Sequence, residues 1–182
     1  MYNHPHTIEN KIGEKLCFTR LVKEDGVDKL EVENWVQPGA GPLMHVHWKQ
    51  DESLTVISGK IGTQIPGEEP RYYGPGETVT FYRGTWHRFW NAGNDVLNCK
   101  GWIKPADNIE YYLTEIYKAI DAGKNHRPEP TAAAFLMTRY KSEFDVSGIP
   151  GVVKKVIIPL QYFIGRFTGA HKRFKDAPQP VK

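Results

Sequence analysis

Turn-forming pairs and triplets cut the first hundred residues into pieces too short for helices. Asp25-Gly26, Pro38-Gly39, Ser58-Gly59, Pro66-Gly67, Gly74-Pro75-Gly76 and Ala92-Gly93-Asn94 are the punctuation. Between them lie runs rich in β-branched and aromatic residues, at 16–22, 30–36, 52–57, 61–65, 78–82, 86–90 and 96–103. Runs of this length suit strands, because a helix needs about ten residues or more. Many short strands at close spacing predict an all-β sandwich or barrel. Residues 1–15 are polar and aperiodic and predict an arm or edge segment. The His4-Pro5-His6 triplet is read as part of that arm, with no role as a ligand pair.

At Pro105 the pattern changes. Asp107 predicts a helix N-cap, with Glu110 three residues on in a capping-box arrangement. Ile109, Leu113, Ile116 and Ile120 recur at helical spacing, and Gly123 ends the run. A second helix is expected over 131–144 and a third over 152–167, interrupted at Pro159. In the third, Val152, Val156, Leu160, Phe163 and Phe167 share a face, and Lys154, Lys155, Gln161 and Arg166 lie on the other side. Residues 171–182 are basic and contain proline, which predicts a flexible tail. The expected organisation is an arm (1–15), a β-barrel (16–104), a helical extension (105–170) and the tail (171–182). His126 and His171 are read as exposed.

Chemistry concentrates in two stretches. Residues 39–59 contain Gly39, His45, His47, Glu52 and Gly59 in the spacing Gly-x5-His-x-His-x4-Glu-x6-Gly. Alternate side chains of a strand share a face, so His45 and His47 point the same way and Val46 is opposed. Glu52 is an odd number of residues beyond His47, so the chain must bend or bulge within 48–51 to return the carboxylate to that face. Leu54 and Val56 then face inward with Glu52, and Ser53, Thr55 and Ile57 outward. His87 arrives from a separate strand. Three imidazoles and a carboxylate form a borderline N/O donor set that suits Fe, Mn, Ni, Co, Cu or Zn better than Ca or Mg. Four donors on an ion that takes five or six leave open positions. Trp35, Met44, Trp48, Phe81, Phe89 and Trp90 are the nearby candidates for a cavity wall.

These two stretches resemble the motifs of the cupin superfamily. Residues 39–59 fill all five fixed positions of the first motif. Residues 76–91 match the second at Gly76, Gly84, His87 and Asn91, with Tyr82 where the family usually has proline. The resemblance covers residues 16–103 and is nearest to small single-domain, quercetinase-like cupins. It implies a jelly-roll β-barrel of two antiparallel sheets, assembled as a homodimer, with His45, His47, Glu52 and His87 as the metal ligands. It further implies a metal-dependent enzyme acting on a small organic substrate, most plausibly a dioxygenase, in which Glu52 could detach to accept a proton. A metal-dependent isomerase, decarboxylase or lyase stays open, as does a non-catalytic small-molecule-binding cupin.

The remaining sequence narrows the partners. A formal charge of +3 gives little ground for nucleic acid. Cys17 and Cys99 stand outside any Cys-x-x-Cys pattern and are read as two thiols of a reducing compartment. The N-terminus has no basic-then-apolar signal pattern, and no run of about twenty apolar residues occurs, so a cytoplasmic protein is the expectation. There is no G-x-S-x-G elbow or phosphate-binding loop to support a hydrolase or nucleotide-binding reading. The helical extension is expected to pack on the barrel or on a partner subunit. The alternative lays residues 152–175 on a membrane surface.

Overall fold

The computed structural model describes residues 2–125 and 127–182; His126 lies outside them. Ten strands come first: β1 (His6–Asn10), β2 (Glu14–Glu24), β3 (Val27–Val36), β4 (His45–His47), β5 (Asp51–Ser58), β6 (Ile61–Gln64), β7 (Arg71–Tyr73), β8 (Thr78–Phe81), β9 (Arg88–Asn91) and β10 (Leu97–Lys104). Helices α1 (Ile109–Ala122) and α2 (Pro130–Arg139) follow, then a three-residue strand β11 (Phe144–Val146). A π-helical turn (Val153–Ile157) runs into α3 (Ile158–Phe167), and a short 3-10 helix (Ala170–Phe174) follows. The fold is therefore an antiparallel jelly roll with a C-terminal helical extension.

All pairings among the described residues are antiparallel, and they form three sheets. One sheet has the order β1-β2-β3-β10-β5-β8, the second β7-β6-β9, and the third is the pair β11-β4. The expectation of two sheets closed into a barrel needs correcting here. The barrel is not closed, because β4 finds its partner outside the jelly roll, in β11 of the extension. The His45–His87 bridge and the Gly84 N–H bond to the His47 carbonyl link β4 back toward β9.

Period-two burial explains why the strands sit where they do. In β3, Leu30, Val32, Asn34 and Val36 are buried in alternation. The apolar residues gather in two cores. Val36, Leu54, Val56, Ile61, Val79, Phe81, Phe89, Leu97 and Cys99 form the core inside the jelly roll. The other core joins β1–β3 and β10 to the helices, through Phe18, Leu30, Val32, Ile109, Tyr112, Phe135, Leu136, Tyr140 and Phe144 among others. Both cysteines are free, and burial pushes the Cys99 thiol up to about 12.

The N-terminal residues take the edge-segment form, one of the two expected for them, and the helix caps change. The arm supplies an edge strand, because β1 runs along β2 from His6 opposite Phe18 to Asn10 opposite Glu14. His4 and His6 bond Glu110 of α1, at 3.1 and 2.9 Å. Asp107 is not the cap of α1: Asn108 holds that position, and Asp107, at φ 40°, accepts from Gln50 Nε2. Helix α2 stops at Arg139, five residues before the expected end, and the chain then turns into β11.

The expected flexible tail is tied down. Phe174 is buried and stacks on Phe135 with ring centroids 4.2 Å apart. The Pro178 carbonyl accepts from Arg139 and from the Tyr140 hydroxyl, and Val181 N–H donates to Glu143. His171 is half-buried among Phe135, Tyr162 and Phe174 and is not the exposed residue expected. In each case a side-chain donor, a carboxylate or an aromatic face on or just after α2 gave the tail something to bind. No helix among the described residues is long and apolar enough to cross a membrane.

Candidate metal centre

The four predicted residues come together. His45, His47, Glu52 and His87 each offer one ligand atom, and these atoms all lie within 4.8 Å of one another. Parity places His45 and His47 side by side on β4, with ring centroids 5.0 Å apart, while Val46 between them is fully buried on the opposite side. The bend predicted before Glu52 is a complete change of sheet. The chain leaves β4 at His47, crosses residues 48–50 and enters β5, where Glu52 lies between Ile103 of β10 and Phe81 of β8. Leu54 and Val56 are inward as expected, but Ser53 is also buried, accepting from Thr80 and donating to the Val79 carbonyl.

His87 is positioned by the loop before β9. Gly84 sits at φ 80°, a left-handed turn that disfavours a side chain, and its N–H donates to the His47 carbonyl at 2.7 Å. Thr85 N–H donates to the Tyr82 carbonyl, so Tyr82 completes this turn in the place where the family has proline. Asp51, next to Glu52, accepts the Arg83 backbone N–H at 2.8 Å and both arms of its guanidinium at 3.0 and 2.8 Å. That fork fastens the His87 loop to the Glu52 strand. Asn91 is structural: its Nδ2 donates to the Val36 and Asp95 carbonyls, and its Oδ1 accepts from Gly93.

The donor set fits a cation. His45 Nδ1 lies 2.8 Å from the Leu43 carbonyl and His87 Nδ1 lies 2.9 Å from the Thr85 carbonyl. A carbonyl only accepts, so each Nδ1 carries the proton and each Nε2 presents a lone pair inward when the ring is neutral. His87 Nε2 then faces Glu52 Oε2 at 3.1 Å, acceptor against acceptor, and His47 Nε2 lies 3.8 Å from the same oxygen. Positive charge has to sit among them. One proton would serve a single pair of these atoms, whereas a metal ion serves all four donors.

Electrostatics agree. Burial, followed by the neighbouring imidazoles, lowers His45 to about 3. Burial lowers His47 to about 4 against the pull of Glu52. Burial would raise Glu52, but the His87 hydrogen bond and the His47, His87 and His45 rings outweigh it and hold the carboxyl at about 2. At neutral pH the pocket therefore holds a buried carboxylate beside two neutral imidazoles, a charge that calls for compensation within the cluster.

Two aromatic residues bracket the cluster, one from each core. Phe81 stacks flat on His87 at 4.0 Å, and Phe144 of β11 meets His47 edge-on at 5.6 Å. Phe81 was among the sequence candidates. Phe144 was not, since nothing in a Phe-Asp-Val triplet beyond the barrel marks it as a site neighbour. Trp48 is more than a third exposed and packs edge-on against Trp86, at the outer rim. A cleft of about 310 Å³ runs beside the site between residues 39–44 and Arg88–Trp90, lined by Met44 and Phe89, but none of the four donors is in its wall.

Comparisons with known proteins follow this geometry. Residues 35–99 match the family model described as a cupin domain. The chain is 34% identical over 68 residues to probable oxidoreductase virH of Hypocrea virens, covering 36% of this chain and 31% of that protein. It thus spans about a third of the length of the curated relative it matches. Among solved structures, an uncharacterized conserved protein with a double-stranded beta-helix domain from Klebsiella pneumoniae is 24% identical, over 47% of this chain and 73% of that one, with a TM-score of 0.41. KdgF from Halomonas sp. is 20% identical over 57% and 88%, with a TM-score of 0.47. The stretch matched by the family model contains all four clustered donors and the strands β4 to β9 that carry or frame them. Residues 35–99 of the chain are accordingly a cupin domain.

Proposed function

We propose that His45, His47, Glu52 and His87 bind one divalent first-row transition metal ion, and that the protein is a metal-dependent enzyme acting oxidatively on a small organic substrate. The observation that supports this most is the convergence of inward-facing imidazole nitrogens on a buried carboxylate, with two of the three tautomers set by backbone carbonyls. The oxidative reading draws further support from the relative described as a probable oxidoreductase, whose matched segment is a third of its length. A bound ion would supply open coordination positions and Lewis acidity.

The residues around it have separable tasks. Leu43 and Thr85 carbonyls orient two imidazoles, and Asp51 with Arg83 holds the His87 loop at the distance the cluster needs. Phe81 and Phe144 exclude water from the flanks of His87 and His47. With the imidazole lone pairs engaged by an ion, Glu52 would be the member of the cluster that could detach and take a proton from a substrate, at Oε2. An isomerase, decarboxylase or lyase would use the same carboxylate without consuming oxygen.

Elemental analysis of protein purified with and without air, followed by oxygen uptake with enols, flavonols and thiols, tests the proposal. Stoichiometric metal with substrate-dependent oxygen uptake is the expected result. Metal with substrate turnover but no oxygen uptake moves the protein to the isomerase or lyase branch. Metal with no turnover of any substrate moves it to a binding protein. Protein that takes up no metal overturns the site assignment itself.

A further inference from the structure

The third helical segment carries an apolar face that nothing in the molecule covers. Leu160, Phe163, Ile164 and Phe167 recur at i, i+3, i+4 and i+7, within an arc of about 100° on a helix of 3.6 residues per turn. That spacing ordinarily marks the side turned to a core. Here all four are exposed, Phe167 at 86%, and Val152, Val156 and Ile157 extend the exposed strip through the π-helical turn. The opposite side is the one that packs. Gly165 is buried beside His171 and Thr131, and Tyr162 stacks with Phe135 of α2.

Pro159 does not break this strip. The five-residue π turn at Val153–Ile157 directly precedes it, and such a turn lets a helix carry on past a residue with no N–H to donate. Helical structure is continuous from Gly151 to Phe167, a correction to the interruption expected from sequence. Seven large apolar side chains exposed along one helix exceed the scattered singles that are normal on a protein surface.

Charge identifies the occupant. Residues 146–175 contain Lys154, Lys155, Arg166, Lys172, Arg173 and Lys175 and not one Asp or Glu. Lys154 pairs with Asp145 and Arg173 with Glu129, which leaves Lys155, Arg166, Lys172 and Lys175 exposed with no acidic partner among the described residues. A second copy docked on this face would set these cations against their own equivalents. An anionic bilayer surface satisfies both features: the acyl boundary takes the apolar strip, and the headgroups take the cations, whose stems can reach outward.

We propose that residues 152–175 are an in-plane anchor that lays the apolar side of α3 into an anionic membrane surface. This inference stands apart from the metal centre, whose four residues it does not use.

Sedimentation of the full-length protein with phosphatidylcholine vesicles, and with vesicles that also contain phosphatidylserine, is the test. The chain is expected to pellet with the anionic vesicles, weakly or not at all with the neutral ones, and less as salt is raised. Phe163→Ser/Phe167→Ser and Lys155→Glu/Arg166→Glu should each reduce binding by more than about tenfold. All four side chains are exposed, so circular dichroism and metal content should match the parent. Three results overturn the proposal: a parent protein that stays in solution with anionic vesicles, equal pelleting with neutral vesicles, or a parent dimer that becomes monomeric in Phe163→Ser/Phe167→Ser by light scattering.

Discussion

His45 and His87 exchange both backbone hydrogen bonds across two strands, each N–H donating to the other's carbonyl at 2.9 Å. This one narrow pair sets their rings 4.4 Å apart and joins the two sequence motifs at the point where a metal ion would sit. The spacing of the cluster is thus fixed by the backbone, and the side chains need only choose rotamers.

The first prediction follows from that division of labour. His87→Ala, and the His45→Ala/His47→Ala double variant, should keep the fold and lose bound metal, since the backbone pair survives the loss of the rings. Elemental analysis beside circular dichroism checks this. Variants that retain as much metal as the parent would sink the ligand assignment.

Removing the ion should act on stability as well. Any ligand bound only by the folded chain adds stability by mass action, and here it also compensates the Glu52 charge. Chelation is therefore expected to lower the melting temperature of the parent and to leave that of Glu52→Gln nearly unchanged. Thermal melts with and without chelator read the difference.

Asp51→Asn would weaken the fork to Arg83 while leaving the donors intact. Metal affinity should fall by roughly 10-fold or more, the range for groups that support a ligand. Global stability should fall by only about 1 kcal/mol, because the Arg83 side of the pair is more than half exposed. Metal titration and urea unfolding separate the two effects.

Acid should act at the start of α2. Burial would raise Glu129, but the Thr131 and Ala132 amides and the Arg173 guanidinium outweigh it and hold the carboxyl at about 2. A folded-state value below the unfolded one, about 4.3, gives stability that is complete above the unfolded value and lost as pH falls through the folded one. Glu129→Gln should cost about 1 kcal/mol at pH 7, as for the loss of a helix cap. The gap to the parent should close between about pH 4.3 and 2. Urea denaturation over that range measures it.

Phe174→Ala tests the docked tail. The ring is 4% exposed and stacked on Phe135, so its loss should cost about 3–5 kcal/mol. A free tail would make the same change neutral in thermal or urea unfolding.

The site was more legible in the sequence than its surroundings. Strand parity alone paired His45 with His47 and required a change of direction before Glu52. It could not show that the turn crosses from one sheet to another, because parity reports faces and not partners. Phe144 was invisible for a related reason: three residues are too few to display a period. Asp107 looked like a cap by residue type, but its carboxylate accepts from the Gln50 side chain and leaves the helix start to Asn108. The spacing of Val152, Val156, Leu160, Phe163 and Phe167 gave one apolar side of the third helical segment, and all five are exposed there. What covers such a side is set by the rest of the fold, and here the fold covers the other one.

The pairing of β11 with β4 decides how small a working version of this protein can be. His47 lies opposite Phe144 and His45 opposite Val146, and Trp48 and Ser147 add backbone hydrogen bonds at either end of that ladder. A fragment cut to the matched cupin stretch would keep all four donors. It would also strip one edge of the strand that carries two of them, leaving His45 bridged only to His87. The extension is thus the outer rail of the His/Glu cluster, and the shortest chain that holds this site in its native shape has to include it.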